Sequence, residues 1–160
     1  MFSHVRRIWS KKGLQPIAPS NRKYEWLYLY AFVHPSSGDV FWLTLPTVSN
    51  EAFEIALAHF ARQNKINKNN RVILVIDGAG FHRGKNLKIP DGIHLKFLPA
   101  YSPELQPAEQ LWPLTHEAHA NKLFKDLDEL EQTLLKRCLW LKNNKEKIKE
   151  RVKFYWWPND

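Results

Sequence analysis

Residues 71–77 read RVILVID, a short apolar run that ends in an aspartate. Most of its apolar side chains are β-branched, and such residues pack well on a pleated sheet, so the run predicts a buried strand over residues 71–76. A carboxylate just beyond the carboxyl end of a buried strand lies where α/β sheets place ligand-binding and catalytic groups. Asp77 is therefore a candidate functional residue, although an aspartate before Gly78 suits a plain turn equally well.

The sequence on either side of this run predicts one α/β domain over residues 1–160. Runs of aromatic and apolar residues predict strands, and apolar residues that recur on one helical face predict helices. Pro-Ser-Ser-Gly at 35–38 predicts the turn of an antiparallel hairpin. The predicted elements are strands 24–33 and 39–45, a helix over 49–63, strands 71–76 and 93–98, a helix that starts at Pro107 or Pro113, a helix from Asp126 to about residue 142, and a final lysine-rich helix.

The composition indicates a folded chain. Of its 160 residues 44% are hydrophobic and 13% aromatic, which is too rich in core-forming groups for a disordered tail. No apolar run approaches the roughly 20 residues that a membrane span needs, so we expect a cytoplasmic protein with no membrane partner. Cys138 is the only cysteine, which excludes an internal disulfide and a cysteine metal site. Its apolar neighbours predict a buried structural thiol.

Positive charge is concentrated in blocks, and the net charge is +8. Residues 1–23 carry six basic side chains and no acid, residues 24–61 carry four acids and no Lys or Arg, and residues 62–96 carry eight basic side chains against two acids. Basic blocks fit a polyanion partner such as DNA, because neutralising phosphates releases counterions. A merely soluble basic surface fits the same charge pattern.

A proline-punctuated motif follows the last predicted strand. Residues 98–112 read LPAYSPELQPAEQLW, and residues 72–82 read VILVIDGAGFH. Together these stretches strongly resemble the catalytic core of DDE transposases of the mariner-like and bacterial insertion-sequence superfamily. The resemblance extends over essentially the whole chain. It implies an α/β fold of the ribonuclease H type, in which helices flank a mixed sheet.

The resemblance also implies a site and a chemistry. Asp77 matches the family's second catalytic carboxylate and Glu109 the third, whereas Glu109 alone is an ordinary glutamate near a helix start. The family's acids hold two Mg²⁺ or Mn²⁺ ions, since phosphodiester cleavage and strand transfer need an activated nucleophile and a stabilised leaving oxygen. The implied activity is that of a transposase endonuclease. The implied partners are transposon terminal inverted repeats, target DNA and, by analogy, a second copy of the chain.

The chain departs from the family pattern before Asp77. The family's first aspartate lies on the central first strand, and this sequence starts almost at the segment that follows that strand. We therefore expect a domain that is incomplete at its N-terminus, lacks the first, central strand of the sheet and is inactive alone, unless an upstream-encoded transposase segment supplies the missing part. A non-catalytic DNA-binding or transposase-interaction module left from a decayed element is the alternative. The earlier acids, none in a matching context, are Glu25, Asp39, Glu51 and Glu54.

Four residues that follow Asp77 are candidate DNA contacts. His82 matches a histidine that is frequent at this place in the family. It suits a contact with the active site or with the DNA backbone, but an isolated histidine in a loop more often forms only a local hydrogen bond. Arg83, Lys85 and Lys88 suit phosphate contacts or plain solvation.

Overall fold

The computed structural model describes residues 9–14, 25–82, 84, 86–100 and 102–154. Over these residues strands and helices follow one another in an α/β arrangement, as predicted. The strands are β1 (Tyr28–His34), β2 (Asp39–Leu45), β3 (Val72–Ile76) and β4 (Ile93–Phe97), and the α-helices are α1 (Asn50–Gln63), α2 (Trp112–His116), α3 (Leu127–Asn143) and α4 (Lys145–Val152). Short 3₁₀ helices cover Gly80–His82, Pro103–Leu105 and Pro107–Leu111. None of the helices described is both long and apolar enough to span a membrane.

The hairpin predicted from the Pro-Ser-Ser-Gly turn is confirmed. β1 and β2 pair antiparallel along their whole length. Gly38 closes the turn with a φ of 70°, and a Cβ at this position would meet the backbone oxygen of Lys145 at 2.5 Å. A glycine is required here because other residues have a side chain that would collide and rarely adopt this φ. β1 starts at Tyr28, and the predicted start of the strand at residue 24 lies outside the described residues.

The second pair of strands is parallel. β3 and β4 run side by side, and the connection between them includes the 3₁₀ helix Gly80–His82. Within the described residues neither of these strands pairs with β1 or β2. The sheet of the ribonuclease H type was expected here without its first, central strand, and the described strands accordingly form two sheets of two strands, because no described strand pairs with both β1 and β3.

The segment that carries Glu109 does not form the α-helix that Pro107 suggested. Pro107 begins a 3₁₀ helix instead, and α2 begins at Trp112. Pro113 gives the physical reason: it has no N–H to donate to the carbonyl of Glu109, and its ring would collide with that carbonyl in a continuous α-helix. Glu109 consequently lies in a tight turn just ahead of α2.

Two clusters of buried side chains support the elements. The two long helices, α1 and α3, each start at a side-chain cap. Ser49 caps α1 by accepting a hydrogen bond from the amide of Ala52 at 3.1 Å, and Asp126 caps α3 by accepting one from the amide of Glu129 at 2.9 Å. The cluster that we call the α1 core consists of Phe53, Leu57, Ala61, Leu74, Ile76 and Ile93. The cluster that we call the α3–α4 core consists of Val40, Ala108, Leu111, Leu141, Ile148 and Val152.

The predicted buried thiol is confirmed. Cys138 lies in α3 with 3% of its surface exposed. Burial raises the pKa of the Cys138 thiol to about 12, against a smaller lowering by Arg137. The thiol is therefore protonated and unreactive near neutral pH.

Candidate active site

Asp77 lies directly beyond the buried carboxyl end of β3. The amide of Leu98 donates to the carbonyl of Ile76 at 2.8 Å, which ties this end of β3 to the end of β4. Asp77 Oδ1 accepts hydrogen bonds from the amide of Ala79 at 3.0 Å and from His82 Nδ1 at 2.6 Å. The side chain is 49% exposed. The carboxylate thus shapes the turn, as a plain turn residue would, and also remains open to solvent on the side where a ligand can approach.

His82 holds the Asp77 carboxylate from the loop side. It ends the 3₁₀ helix Gly80–His82, and its ring packs against Phe53 with 4.4 Å between ring centroids. Only 11% of the His82 side chain is exposed. Because an ionised carboxylate only accepts hydrogen bonds, Nδ1 of His82 carries the proton in this contact. The ring therefore fixes the orientation of the carboxylate against the α1 core.

Glu109 is held by the backbone rather than by side-chain partners. It is half-buried in the 3₁₀ helix Pro107–Leu111, and its neighbours Ala108 and Leu111 are buried in the α3–α4 core. Over the described part of the chain the Glu109 carboxylate forms no hydrogen bond and no ion pair. A half-buried carboxylate without a hydrogen bond or ion pair of its own can accept a metal ion.

One groove brings Asp77, His82 and Glu109 together. It has a volume of about 930 Å³, is lined by every residue of β1 and of β3, and we call it the central groove. Stacked and edge-on phenylalanine rings form part of its wall, from Phe32, Phe41, Phe53 and Phe60. The two carboxylates that the sequence singled out therefore border the same largely apolar groove although they come from distant segments.

The structure gives a different outcome for each of the other predicted contacts and acids. Lys88 is exposed, does not line the central groove, and donates its backbone amide to Glu54 Oε1 at 2.9 Å. Arg83 and Lys85 lie outside the described residues. Asp39 lines the groove but is paired with Lys145 at 2.5 Å. Glu25 and Glu51 are exposed and do not line it.

Sequence reasoning missed several polar residues of the groove, among them Tyr30 and Lys142. Burial raises the pKa of the Tyr30 hydroxyl, and the neighbouring Tyr28 raises it further. Lys142 lies in the last turn of α3, where a lysine is commonplace because it complements the helix dipole. Neither residue carries a local signal, since each reaches the groove only through the packing of its own strand or helix.

The donors in the groove fit a divalent cation in part. Asp77 and Glu109 offer the oxygen ligands that Mg²⁺ and Mn²⁺ prefer. Both described contacts of Asp77 fall on Oδ1, which leaves Oδ2 for a cation. However, the described residues contain no group of three or more His, Cys, Asp or Glu side chains placed to hold a metal ion. The described residues thus provide two candidate carboxylate ligands that border one groove.

An α/β fold in which two carboxylates border one groove is shared by several families of enzymes, so the fold and the site define only a class of protein. Comparison with known proteins identifies the family. Residues 3–131 match the family described as DDE superfamily endonuclease, so the chain belongs to that family. This membership supports a transposase-like nuclease role with a DNA substrate. Nucleases of this superfamily generally use divalent metal ions.

The chain also resembles a relative of known sequence whose name states no activity. The chain is similar to the uncharacterized protein y4pE/y4sA of Sinorhizobium fredii (strain NBRC 101917 / NGR234), with 37% identity over 106 residues. The match covers 66% of this chain and 77% of the relative. No solved structure matches the chain.

Proposed function

We propose that the chain is the catalytic domain of a transposase that cleaves DNA at transposon ends and joins the ends to target DNA. One observation carries the proposal. In a chain of the DDE endonuclease family, Asp77 adjoins the α1 core and Glu109 adjoins the α3–α4 core, yet both border the same groove. Two acids that border one largely apolar groove oppose each other electrostatically, and a cation bound between them would remove that cost.

Asp77 and Glu109 would hold Mg²⁺ or Mn²⁺ through their carboxylate oxygens. Bound there, the ions would supply activation of a water or 3′-hydroxyl nucleophile and stabilisation of charge on the leaving oxygen. His82 keeps the Asp77 carboxylate in place through Nδ1. Arg71 and Lys142, which line the same groove, would attract the DNA phosphates.

Two carboxylates are one fewer than the family's set, so we expect the isolated chain to need a further acid. An upstream-encoded transposase segment is the source that we propose for it. The alternative function is a non-catalytic DNA-binding or transposase-interaction module. The absence of a three-ligand group among the described residues favours this alternative, and experiment separates the two.

A metal titration tests the site without requiring catalysis. We expect Mn²⁺ binding, followed by electron paramagnetic resonance, to weaken by more than about tenfold in Asp77→Asn and in Glu109→Gln, since losing even an indirect partner of a metal ligand has that effect. Asp91→Asn is the matched control, because Asp91 is an exposed carboxylate, 74% open, whose side chain pairs with Lys68 at 3.7 Å. Equal Mn²⁺ affinity in all four proteins would contradict the proposed metal site.

A cleavage assay tests the reaction. With Mg²⁺ or Mn²⁺ and terminal-repeat DNA, the purified chain should not cut, and addition of the upstream-encoded polypeptide should restore cutting that Asp77→Asn abolishes. Cutting by the chain alone that Asp77→Ala abolishes would show that our expectation of an incomplete carboxylate set is wrong. DNA binding that is unaffected by Asp77→Asn, with no cutting under either condition, would support the non-catalytic module.

A further inference from the structure

The loop that follows Asp77 is rich in glycine. Residues 77–86 read DGAGFHRGKN and include three glycines. Glycine loses more backbone freedom on folding than any other residue, so such a loop is costly to fix in one conformation. Within the loop the amide of His82 donates to the carbonyl of Ala79 at 2.9 Å, which closes a 3₁₀ turn. The position of this turn therefore depends on contacts with the rest of the chain.

One face of α1 provides contacts of this kind. Phe53 and Glu54 follow Asn50 by three and four residues, and side chains at this spacing lie on the same side of a helix. Phe53 packs against the His82 ring, with 4.4 Å between ring centroids, and is itself 1% exposed in the α1 core. The side chain of Ser49 caps the start of α1. This face of α1 is therefore a firm support for the loop.

Asn50 and Glu54 meet the chain beyond His82. At Gly84 the backbone passes so close to Asn50 that a Cβ would lie 2.5 Å from Asn50 Nδ2. Further along, Glu54 Oε1 accepts a hydrogen bond from the amide of Lys88 at 2.9 Å. The same face of α1 therefore contacts His82 and both ends of the segment 84–88.

The hydrogen bond between Lys88 and Glu54 is charge-assisted. An ionised carboxylate that accepts from a backbone N–H forms a bond about twice as strong as a neutral one. Glu54 is half-buried and does not line the central groove, so it is placed to hold the loop and not to bind a metal ion in the groove. Leu87 packs against the α1 core, and its amide donates to the carbonyl of Gly84 at 3.1 Å. Loss of the Glu54 carboxylate would therefore loosen this segment as a unit.

We propose that Glu54 is a positioning residue for the candidate active site. By binding the Lys88 amide, its carboxylate holds the loop against α1 and keeps His82 where Nδ1 donates to the Asp77 carboxylate. This inference rests on the proposed function, because the orientation of Asp77 affects metal binding only if Asp77 is a ligand. Hydrogen exchange tests the loop without a metal ion, so a failure of the inference is distinguishable from a failure of the proposed function.

Hydrogen exchange of the full chain, followed residue by residue by nuclear magnetic resonance, tests the action of Glu54 on His82. We expect Glu54→Ala to speed exchange of the Lys88 and His82 amides by at least about tenfold, and that of the Leu57 amide in α1 by less than about twofold. Glu54→Gln keeps an oxygen acceptor and should change all three rates by less than about threefold. A faster Lys88 amide with an unchanged His82 amide would overturn the proposal.

Glu51→Ala is the matched control for this measurement. Glu51 is an exposed acid in the first turn of α1, so its loss weakens the start of the same helix without removing an acceptor from the loop. We expect it to change exchange of the His82 amide by less than about twofold. Equal effects of Glu51→Ala and Glu54→Ala, or a general increase that includes Leu57, would show helix destabilisation and overturn the proposal.

A size exchange between Gly84 and Asn50 tests whether the loop lies against α1. Gly84→Ala places a methyl group in the space of the Asn50 side chain and should speed exchange of the His82 amide by at least about fivefold. Adding Asn50→Ala makes room for the methyl group and should return the rate to within about threefold of the wild-type value. No effect of Gly84→Ala, or no recovery in the double variant, would contradict this position of the loop.

Mn²⁺ titration tests whether Glu54 acts on the metal site through His82. We expect Glu54→Ala to weaken Mn²⁺ binding by about three- to tenfold in the wild-type chain and by less than about twofold in His82→Phe, where the donor to Asp77 is already lost. Equal losses in both backgrounds, or no loss in either, would overturn the proposal and leave the metal site intact. If the wild-type chain binds no Mn²⁺, the proposed metal site is wrong, and exchange of the His82 amide alone decides whether Glu54 positions this residue.

Discussion

The α1 core and the α3–α4 core differ in how their residues are spread along the chain. The α1 core uses residues from 53 to 93, so one continuous segment supplies it. The α3–α4 core joins residue 40 to residues between 108 and 152. Asp77 follows a strand of the first core, and Glu109 lies between two buried residues of the second. The candidate site is therefore assembled where two separately built parts meet.

The same difference explains how each carboxylate is held. Asp77 is fixed by contacts within five residues, to Ala79 and His82. Glu109 has no such partner within the described residues, and its position depends on the packing of Ala108 and Leu111. A local change should therefore disturb Asp77, whereas a change in the distant helices α3 and α4 should disturb Glu109.

The largest expected effect is the loss of a large side chain from either core. Leu57 and Leu141 are both 0% exposed, one in each core, and Leu→Ala at such sites costs about 2–5 kcal/mol. If the cores fold as one unit, both variants shift a single urea transition measured by circular dichroism. Leu139→Ala, at a residue of α3 that is 60% exposed, is the control and should change the free energy of unfolding by less than about 0.5 kcal/mol. Two separate transitions in Leu141→Ala would show that the cores unfold independently.

A glycine that supports the α1 core should give the next largest effect. Gly92 has a φ of 91°, and a Cβ there would collide with the backbone of Asn67. We expect Gly92→Ala to lower the free energy of unfolding by about 1–3 kcal/mol, since an L-residue is strained in this conformation. Gly80→Ala is the matched control, because a Cβ at Gly80 meets no atom within 4 Å. Equal loss of stability in the two variants by thermal unfolding would contradict this account.

Removing the donor that holds Asp77 should have a smaller effect on stability and a clear effect on the site. His82→Phe keeps a ring against Phe53 but cannot donate to Asp77. We expect a loss of about 1 kcal/mol in stability, because the half-exposed carboxylate regains water in place of its partner. Mn²⁺ affinity should fall by about 10- to 100-fold, as for other residues that orient metal ligands. Unchanged Mn²⁺ affinity with reduced stability would assign His82 a purely structural role.

The smallest effect is expected from an ion pair beside the α3–α4 core. The hydrogen bond from Lys145 lowers the pKa of the Asp39 carboxyl below its ordinary 3.8, and Ser37 lowers it further. The folded state thus binds the Asp39 proton less tightly than the unfolded state. The resulting stability is fully present above pH 3.8 and is lost as the pH falls through the lowered pKa.

Asp39→Asn should accordingly lower the free energy of unfolding by about 0.5 kcal/mol near neutral pH. The effect is small because the Lys145 and Asp39 side chains are 50% and 59% exposed. The difference from the wild-type chain should vanish in strong acid and shrink in about 1 M salt, which screens exposed pairs. Urea unfolding at several pH values measures it. A difference that grows as the pH falls would contradict the assigned pairing.

Local sequence signals predicted much of the fold. The hairpin, α1 and α3 follow from turn chemistry, capping by Ser49 and Asp126, and apolar periodicity, all of which act over a few residues. Of the two predicted helix starts, Pro107 begins a 3₁₀ helix, and the α-helix begins at Trp112, one residue before Pro113, because Pro113 interrupts the backbone hydrogen bonds of the same segment. A proline at the start of a helix, such as Pro107, is compatible with both a 3₁₀ turn and an α-helical turn, so its presence alone does not distinguish them.

The candidate site was predictable only as a pair of acids. Asp77 was identified from its place after an apolar strand, and Glu109 from the motif around it. Tyr30 and Lys142 were missed, since nothing within a few residues of either one distinguishes it from an ordinary tyrosine or lysine. Their presence in the groove depends on how β1, β3 and α3 are arranged around it.

By itself, the sequence determined the secondary structure around Asp77, the tight loop through His82 and the motif that marks the DDE endonuclease family, because backbone geometry and local hydrogen bonding act over short distances. The tertiary structure alone decided that Glu109 borders the same groove as Asp77, and that β1 and β3 both line this groove. These features depend on how two cores pack against one another, and packing joins residues that no local pattern connects.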